Sequence, residues 1–338
     1  MSDTVEIADQ NSIKKVLAFQ FKGEGFEYFK IWIVNTLLTI VTLGIYSAWA
    51  KVRNNRYFYS NLYLDEDNFR YLAEPLTILK GRIIAVVVLL IYSVVSTVSP
   101  VAGIVMAILF LVFVPLLVNR SLAFNNRMSA FKNIQFSFKG SYGEAFMALL
   151  VWPIIGILTL GILYPMAILK VNQYVVRNSA YGTSKFEFHA TFKDYGIIFL
   201  TMLGVLLLFG IPVGLLAAFV PDFAPLVTLP MLVAYFAVFV YFTVAVTNLY
   251  YRSATLITHS FQSDLTMGGY ARVMLINGLL IVITFGLYLP AAKVRMTKYL
   301  VSCIQFNADG SLDNFAAAEQ ENISALGEEF GEVFDFGI

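Results

Sequence analysis

One seventeen-residue pattern occurs three times in this chain and aligns without a gap. The copies span residues 41–57, 158–174 and 283–299, and they read VTLGIYSAWAKVRNNRY, LTLGILYPMAILKVNQY and ITFGLYLPAAKVRMTKY. Each copy is apolar up to a glycine, continues through a second apolar stretch and then becomes basic. A repeat of this kind constrains the fold strongly, because every copy must adopt the same local structure.

The repeat extends beyond this pattern. FQFKG at 19–23 lies 117 positions before FSFKG at 136–140, while the third copy, offset by 242, keeps only FQS at 261–263. Alternating aromatic and polar residues predict short half-buried strands, which we expect to form a small sheet at the membrane surface in each copy. The predicted organisation is a polar N-terminal segment (1–18), repeat 1 (19–126), repeat 2 (127–251), a partial repeat 3 (252–307) and an acidic C-terminal tail (308–338).

Composition identifies the class of protein. The chain is 59% hydrophobic and 13% charged, whereas soluble domains are about 45–50% apolar and about 25% charged. Apolar runs fall at about 31–50, 83–98, 101–118, 146–169, 196–219, 224–247 and 273–292, and roughly 20 residues span a bilayer as a helix. We therefore predict an all-α polytopic membrane protein with internal repeats and short β-strand elements on the cytoplasmic side.

The distribution of basic residues favours one topology. If all seven apolar runs cross the membrane, the 23 Lys and Arg divide 10 to 13 between the two faces. If the three TLGIY segments instead enter and leave on one face, only four helices cross and all 23 basic residues lie on that face. Since basic residues near short loops mark the cytoplasmic side, the second topology is preferred, with the basic loops and repeat motifs in the cytoplasm.

Thr and Gly recur at fixed positions of the repeat and predict a helix break. Glycine accepts the left-handed conformation that ends a helix, and a threonine hydroxyl can bond to a carbonyl one turn earlier. One kinked transmembrane helix per copy is the alternative. The predicted helix-break residues are Thr42, Gly44, Thr159, Gly161, Thr284 and Gly286.

Basic residues and tyrosines align after the break, four positions apart on one helix face. They fit an interfacial anchor, since such side chains lie at headgroup depth. The sharper alternative is a contact site for an anionic headgroup or solute where the three copies converge. The candidate residues are Lys51, Arg53, Tyr57, Lys170, Tyr174, Lys293, Arg295 and Tyr299.

Two intramembrane polar residues, Asn35 and Asn277, align in the first and third copies. A buried Asn in a membrane helix usually bonds to a neighbouring helix. We therefore expect a structural role for both, and a substrate contact is the alternative.

Several function classes find no support in the sequence. The hairpin helices carry no ionisable residue between Ile83 and Asn119, which argues against ion-coupled transport. No catalytic constellation, phosphate-binding loop or metal-ligand spacing is present, so we expect no enzyme activity, no metal and no cofactor. The formal net charge of +1 favours no nucleic acid. His189 and His259 fit surface or strand-edge positions.

The tail concentrates negative charge. All basic residues lie before residue 300, and eight acidic residues follow it. The first part of the tail predicts disorder, and the end, LGEEFGEVFDFGI, could dock on the basic helices or on a cytoplasmic protein. Two function classes stay open: a passive channel, carrier or lipid-interacting protein that acts through the repeat interface, or a scaffold that recruits a partner through the tail.

The chain also resembles a known family. FKGEGFEYFKIWIVNTLLTIVTLGIYSAWAKVRNNRYFY, the later FRYLAEPLTILKGR and the closing LGEEFGEVFDFGI are similar to the bacterial YjgN-like inner-membrane proteins. The resemblance implies a multi-pass location in the bacterial inner membrane and a domain with no assigned function, and it implies no catalytic residues. As partners we expect membrane lipids. The middle copy departs from the family pattern at Ile168 and Leu163.

Overall fold

In the computed structural model, which describes residues 14–219 and 224–334, ten short strands close into one antiparallel barrel. Around the barrel the order is β1-β10-β9-β8-β7-β6-β5-β4-β3-β2. β1 closes it, because its first half pairs with β10 and its last three residues pair with β2. The strands are β1 Lys14–Phe21, β2 Leu62–Leu64, β3 Asp67–Tyr71, β4 Ser129–Phe131, β5 Ile134–Phe138, β6 Ser179–Tyr181, β7 Ser184–Phe188, β8 Ala254–Leu256, β9 His259–Ser263 and β10 Ile304–Asp309.

The barrel corrects the predicted fold class. An all-α protein with separate small sheets is wrong, since strands from all three copies join one closed sheet. The alternation of aromatic and polar residues identifies individual strands. It carries no information on which distant strands pair, and here the pairs across β3–β4, β5–β6 and β7–β8 join segments separated by long helical insertions.

Helices fill the connections between the strand hairpins. The helices are α1 Gly25–Val41, α2 Ser47–Ser60, α3 Pro75–Val98, α4 Pro100–Arg127, α5 Tyr142–Phe146, α6 Trp152–Leu158, α7 Tyr164–Arg177, α8 Phe192–Phe219, α9 Ala224–Arg252, α10 Met267–Ile283, α11 Leu289–Ser302 and α12 Leu312–Phe334. A π-helical turn, Met147–Val151, joins α5 to α6 ahead of Pro153. The strand hairpins thus alternate with five helix pairs, and each pair leaves from and returns to the barrel.

The repeat is visible in the order of elements. β1–β4 and β5–β8 each contribute four strands, with one broken helix pair and one long helix pair between them. β9 and β10 flank only a broken pair. The partial third unit therefore supplies the two strands that complete ten and close the barrel.

The helix pairs differ in length. Four helices in the described part of the chain are long and apolar enough to cross a membrane, and they belong to the pairs α3–α4 and α8–α9. In the other three pairs, α1 and α10 have 17 residues each and rise about 25 Å at 1.5 Å per residue. At this length they fall short of the roughly 30 Å hydrocarbon core of a bilayer.

Neighbouring pairs pack side by side in a ring above the barrel. α2 contacts α3, α4 contacts α5, α7 contacts α8, and α9 contacts α10. α11 then packs against α1 and closes the ring. The first and third copies of the repeat are therefore direct neighbours, while the middle copy lies between the two long pairs.

The tail is ordered where the sequence predicts disorder. Asp309 ends β10, and α12 begins at Leu312 and runs to Phe334. The apolar side chains of its first turns, which pack into the barrel, explain the difference. Residues 220–223, between the apolar runs at 196–219 and 224–247, lie outside the described residues. Of the polar N-terminal segment, residues 14–18 belong to β1 and residues 1–13 also lie outside them.

Candidate functional site

The helix breaks have the same backbone geometry in all three copies. At the first break Leu43 and Gly44 both adopt positive φ, 49° and 93°. Glycine accepts this region freely, whereas a leucine there is uncommon. The other two breaks have Leu160 and Phe285 at the first position, Gly161 and Gly286 at the second. The three non-glycine tip side chains are 94%, 95% and 98% exposed, which places large apolar groups where the bilayer would surround them.

The threonine of each break joins the two helices of its pair. In the first copy the Thr42 hydroxyl donates to the Leu38 carbonyl at 2.7 Å and accepts from the Tyr46 amide at 2.9 Å. It therefore satisfies one group at the end of the first helix and one at the start of the second. Thr159 and Thr284 make the equivalent pairs of bonds.

The candidate tyrosines bond to the start of their own helix pair. Tyr57 Oη accepts from the Glu24 amide at 2.7 Å and donates to the Glu24 carbonyl at 2.9 Å. Tyr299 bonds both backbone groups of Thr266 in the same way. Tyr174 is buried with its hydroxyl unpartnered, and burial raises its pKa to about 12. Tyr57 and Tyr299 thus join the two ends of their helix pairs, whereas the Tyr174 hydroxyl makes no such bond.

The candidate basic residues do not form one cluster. Arg53, Lys51 and Arg295 are exposed, and Lys293 Nζ lies 4.5 Å from the centre of the Phe58 ring. Phe58 belongs to the first copy and Lys293 to the third, so these two copies contact one another here. Lys170 Nζ lies 5.9 Å from the centre of the Trp152 ring within the middle copy.

Both intramembrane asparagines bond across their own helix pair. Asn35 Nδ2 donates to Asn54 Oδ1 at 3.0 Å, and Asn277 Nδ2 donates to the Ala292 carbonyl at 3.1 Å. The Oδ1 atoms of Asn35 and Asn277 are buried without a partner. These amides hold the broken pairs together where hydrocarbon offers no competing hydrogen bonds.

A cavity of about 280 Å³ lies inside the barrel. Its wall is apolar and largely aromatic, because every strand turns one or two aromatic or aliphatic side chains inward. The ring centroids of Phe69 and Phe131 lie 4.6 Å apart, and those of Phe261 and Phe306 lie 5.1 Å apart. Aromatic residues of the wall are Phe19, Phe69, Phe131, Phe136, Tyr181, Phe186, Tyr251, Phe261, Phe306 and Phe315.

The two ends of the cavity differ. Tyr251 and Val301, in the last turns of α9 and α11, line it where the barrel meets the helices. Leu312 and Phe315 of α12 line it at the opposite end. The Phe315 ring lies 4.7 Å from the His259 ring and 6.0 Å from the Tyr181 ring. α12 therefore plugs the end of the barrel that faces away from the helices.

Polar contacts hold the plug in place. Glu319, only 3% exposed, accepts hydrogen bonds from the Thr183 amide at 2.7 Å, from the Thr183 hydroxyl at 2.8 Å and from the Ser184 hydroxyl. Lys132 pairs with Asp67 on β3 and with Asp313 on α12, the latter at 2.6 Å. Burial opposes the charge on Lys132, but these two carboxylates raise its pKa above the ordinary value.

Sequence reasoning missed both the cavity and the plug. The alternation in FQF at 19–21 and FSF at 136–138 indicates which side chains share a strand face. It does not show that all those faces turn inward around one closed sheet. The sequence does hint that Glu319 is buried, since it stands between Ala318 and Gln320 in the more apolar half of an otherwise acidic tail. No group of three or more His, Cys, Asp or Glu in the described residues is placed to hold a metal ion.

Fold and cavity define a class of protein: an integral membrane protein with spanning and shorter broken helix pairs on one barrel. Within that class the particular family can be stated. The family model described as "Bacterial protein of unknown function (DUF898)" matches residues 16–333. The chain belongs to this family.

Curated relatives agree with this assignment. The chain is similar to the "Inner membrane protein YjgN" of Escherichia coli O157:H7, with 31% identity over 153 residues, which is 44% of this chain and 37% of the relative. It is 33% identical to that of Escherichia coli strain K12 over 130 residues, 37% of this chain and 31% of the relative. The protein of the same name from Salmonella typhimurium is 29% identical over 136 residues, 40% and 34% respectively.

The resemblance to YjgN-like inner-membrane proteins is thereby confirmed, as is membership of the bacterial inner-membrane proteins. The chain matches about a third of the length of each of these relatives. No solved structure matches the chain.

Proposed function

We propose that this protein interacts with membrane lipid and holds one acyl chain inside its barrel. The observation that carries the proposal is the apolar cavity of about 280 Å³. The interior of an eight-stranded barrel is about filled by its own side chains or holds one small ligand. Ten strands enclose more space, and here that space is lined by hydrocarbon and aromatic rings.

The size of the cavity sets the size of the occupant. An apolar cavity of about 150 Å³ accepts benzene, so by proportion about 280 Å³ takes roughly eleven carbon atoms. Each buried methylene contributes about 0.8 kcal/mol, which makes a saturated chain of ten to twelve carbons, roughly, a well-matched ligand. In a longer lipid, the remaining carbons and the headgroup would extend out of the cavity at the end lined by Tyr251 and Val301.

The cavity gives less support to passage of polar solutes. Its wall has no charged side chain, and Tyr181 and Tyr251 are the residues in it that carry a hydroxyl group. A hydrated ion entering it would lose its water without replacement, at a cost of several kcal/mol or more. We therefore favour lipid binding over a passive channel, and we expect no enzymatic activity.

Sidedness is part of the proposal. We infer that the barrel is cytoplasmic, because basic residues occur in the strands and in the helix ends next to them. The tip between α3 and α4, at Ser99, carries no charge, since no Lys or Arg stands between Arg82 and Arg120. Basic residues near short loops stay on the cytoplasmic side. The cavity then opens towards the inner leaflet and is plugged on the cytoplasmic side.

Cavity filling tests the proposal. In Leu64→Phe the larger ring occupies the lumen at a buried position of β2, so we expect the affinity for laurate to fall at least tenfold in native mass spectrometry of the purified protein. Val16→Phe is the matched control, since Val16 is 61% exposed on β1. Thermal unfolding of both variants checks that they fold. Failure of the wild type to bind laurate, or equal binding by Leu64→Phe, would show the proposal to be wrong.

A scaffold role is the second candidate. It draws on α12, which continues from the barrel contact at Glu319 to Phe334 and carries further acidic and aromatic residues. A chain truncated after Ile323 keeps the plug and loses that end. If this truncation abolishes co-purification of a cytoplasmic protein while laurate still binds, the scaffold role is supported independently of the cavity.

A further inference from the structure

Five cationic side chains surround a groove on the outer wall of the barrel, and Phe136 is the one residue that it shares with the lining of the cavity. Two adjoining depressions of about 760 Å³ and about 380 Å³ meet at Ser137, Lys139, Gly182 and Ile323. We call their union the basic groove. Its cations are Arg120, Arg127, Lys139, Arg177 and Lys185.

The charge of the basic groove is not neutralised by any side chain described up to Ile323. Among those side chains, none forms an ion pair with the five cations, and no carboxylate lines either depression. Glu319 lies next to Gly182, but its oxygens are held by Thr183 and Ser184. The hydroxyl group of Ser137 adds a neutral hydrogen-bond donor. The groove is therefore suited to an anion with several oxygen acceptors.

The groove begins at the level where a bilayer presents phosphate. Arg120 follows the apolar run of α4 by two residues, so its guanidinium lies at the membrane boundary. Arg127 follows seven residues later, about 10 Å further along the helix at 1.5 Å per residue. Lys139, after β5, and Arg177, at the end of α7, continue the row along the barrel wall.

We propose that the basic groove binds the phosphate-bearing headgroup of an anionic phospholipid. Arginine pairs with phosphate through two parallel hydrogen bonds and lysine acts as a point charge. Basic pockets at the cytoplasmic ends of membrane helices bind such headgroups. The Ser137 hydroxyl would donate to one of the remaining oxygens. This site lies on the outside of the barrel, so the proposal can be tested independently of acyl-chain binding in the cavity.

The test measures lipid selectivity of the full-length protein. Purified wild type is incubated with short-chain phosphatidylglycerol or phosphatidylcholine, and bound lipid is counted by native mass spectrometry. We expect at least a tenfold preference for phosphatidylglycerol. The triple variant Arg120→Gln, Arg127→Gln, Lys139→Gln should lose it, because each cation near the headgroups changes affinity by about fivefold.

A charge-matched variant isolates the groove from net charge. Lys22→Gln, Lys193→Gln, Lys298→Gln removes three exposed cations elsewhere on the molecule and should keep the preference. Loss of selectivity in this control, or its retention in the groove variant, overturns the proposal.

Two further measurements distinguish other occupants. If inorganic phosphate at millimolar concentration displaces phosphatidylglycerol with comparable affinity, the ligand is a free phosphate and the assignment to lipid is wrong. If the wild type shows no preference and the chain truncated after Ile323 gains one, the acidic end of the tail fills the groove, and the proposal fails for the intact protein.

Discussion

A single hydroxyl group bonds both helices at each break. The Thr42 side chain accepts one backbone amide and donates to one carbonyl across the turn. Isolated backbone polar groups in hydrocarbon have no water to bond to. The turn can therefore lie inside the bilayer only because this side chain and the hydrogen bonds of the turn satisfy its backbone.

Replacing this hydroxyl should destabilise the broken pair. In Thr42→Val the Tyr46 amide loses its acceptor while side-chain volume is nearly unchanged, so we expect a loss of about 1–2 kcal/mol in the free energy of unfolding. The measurement is reversible unfolding in SDS. Thr97→Val is the control, because Thr97 makes only a single bond to the Ser93 carbonyl within α3. Equal effects of the two substitutions would contradict the bridging role.

The stability of the barrel end that α12 closes depends on pH through His259. It is 3% exposed, its Nδ1 accepts from the Asp309 amide at 3.0 Å, and its ring packs on Phe315. Burial lowers its pKa below the ordinary value near 6.5, against a raising effect of the Asp309 carboxylate. The folded state thus favours the neutral ring. The stabilisation is complete above about pH 6.5 and is lost as the pH falls towards the lowered folded-state pKa.

The expected result is a melting temperature that falls between about pH 6.5 and pH 5. His259→Asn retains a side-chain acceptor and removes the titration, so its melting temperature should vary less over this range. His189→Asn, at an exposed position on β7's end, should leave the wild-type profile unchanged. A wild-type profile that is flat over this range, or one that His259→Asn does not alter, would show that His259 is not responsible.

At the scale of elements, α12 is held by one buried carboxylate. Glu319 accepts from a backbone amide and two hydroxyls at the turn between β6 and β7. Hydrogen bonds to a charged acceptor contribute about 1.5–3 kcal/mol. In Glu319→Ala the three donors lose their partner, and α12 should dissociate more readily from the barrel.

Hydrogen–deuterium exchange measures this change directly. We expect exchange in residues 312–323 to rise at least tenfold in Glu319→Ala, with little change in β2–β5. Glu321→Ala removes an exposed carboxylate two residues away and serves as the control. Unchanged protection of α12 in Glu319→Ala would mean that the apolar contacts of Leu312 and Phe315 suffice to hold it.

The elements themselves were largely predictable from the sequence, and their association was not. The apolar runs identify the positions of the long pairs, and the patterns FQF and FSF predict β1 and β5. Three-residue strands such as β4 and β6 carry too little alternation to recognise. The fold of α12 depends on contacts with Tyr181 and Thr183, more than 130 residues away, so local composition predicted disorder there.

In the candidate site too, locally encoded features were predictable from the sequence and long-range ones were not. The residues of the helix breaks recur at fixed spacing, which is a local signal. The cavity wall is drawn from all ten strands and from α12, so no local signal defines it. It exists because the partial third repeat contributes two strands instead of four, which closes the sheet at ten.

At the scale of the whole molecule, the barrel explains why the repeats are parallel. Each helix pair starts and ends in strands of one closed sheet, so both ends of a pair must lie on one side of the membrane. Such an arrangement places Lys22 and Asp65 on one side, although the 17-residue α1 lies between them. It places Ser99, at the tip of the α3–α4 pair, on the other side.

Single cysteines in a Cys303→Ser background test this arrangement. Lys22→Cys and Asp65→Cys should react with a membrane-impermeant maleimide only in inverted vesicles, and Ser99→Cys only in right-side-out vesicles. Leu43→Cys, at the tip of the first broken pair, should resist the reagent in both preparations and react after SDS is added, because thiols in hydrocarbon do not ionise. Labelling of Lys22→Cys and Asp65→Cys from opposite sides would mean that α1 or α2 crosses the membrane, which a single closed barrel does not allow.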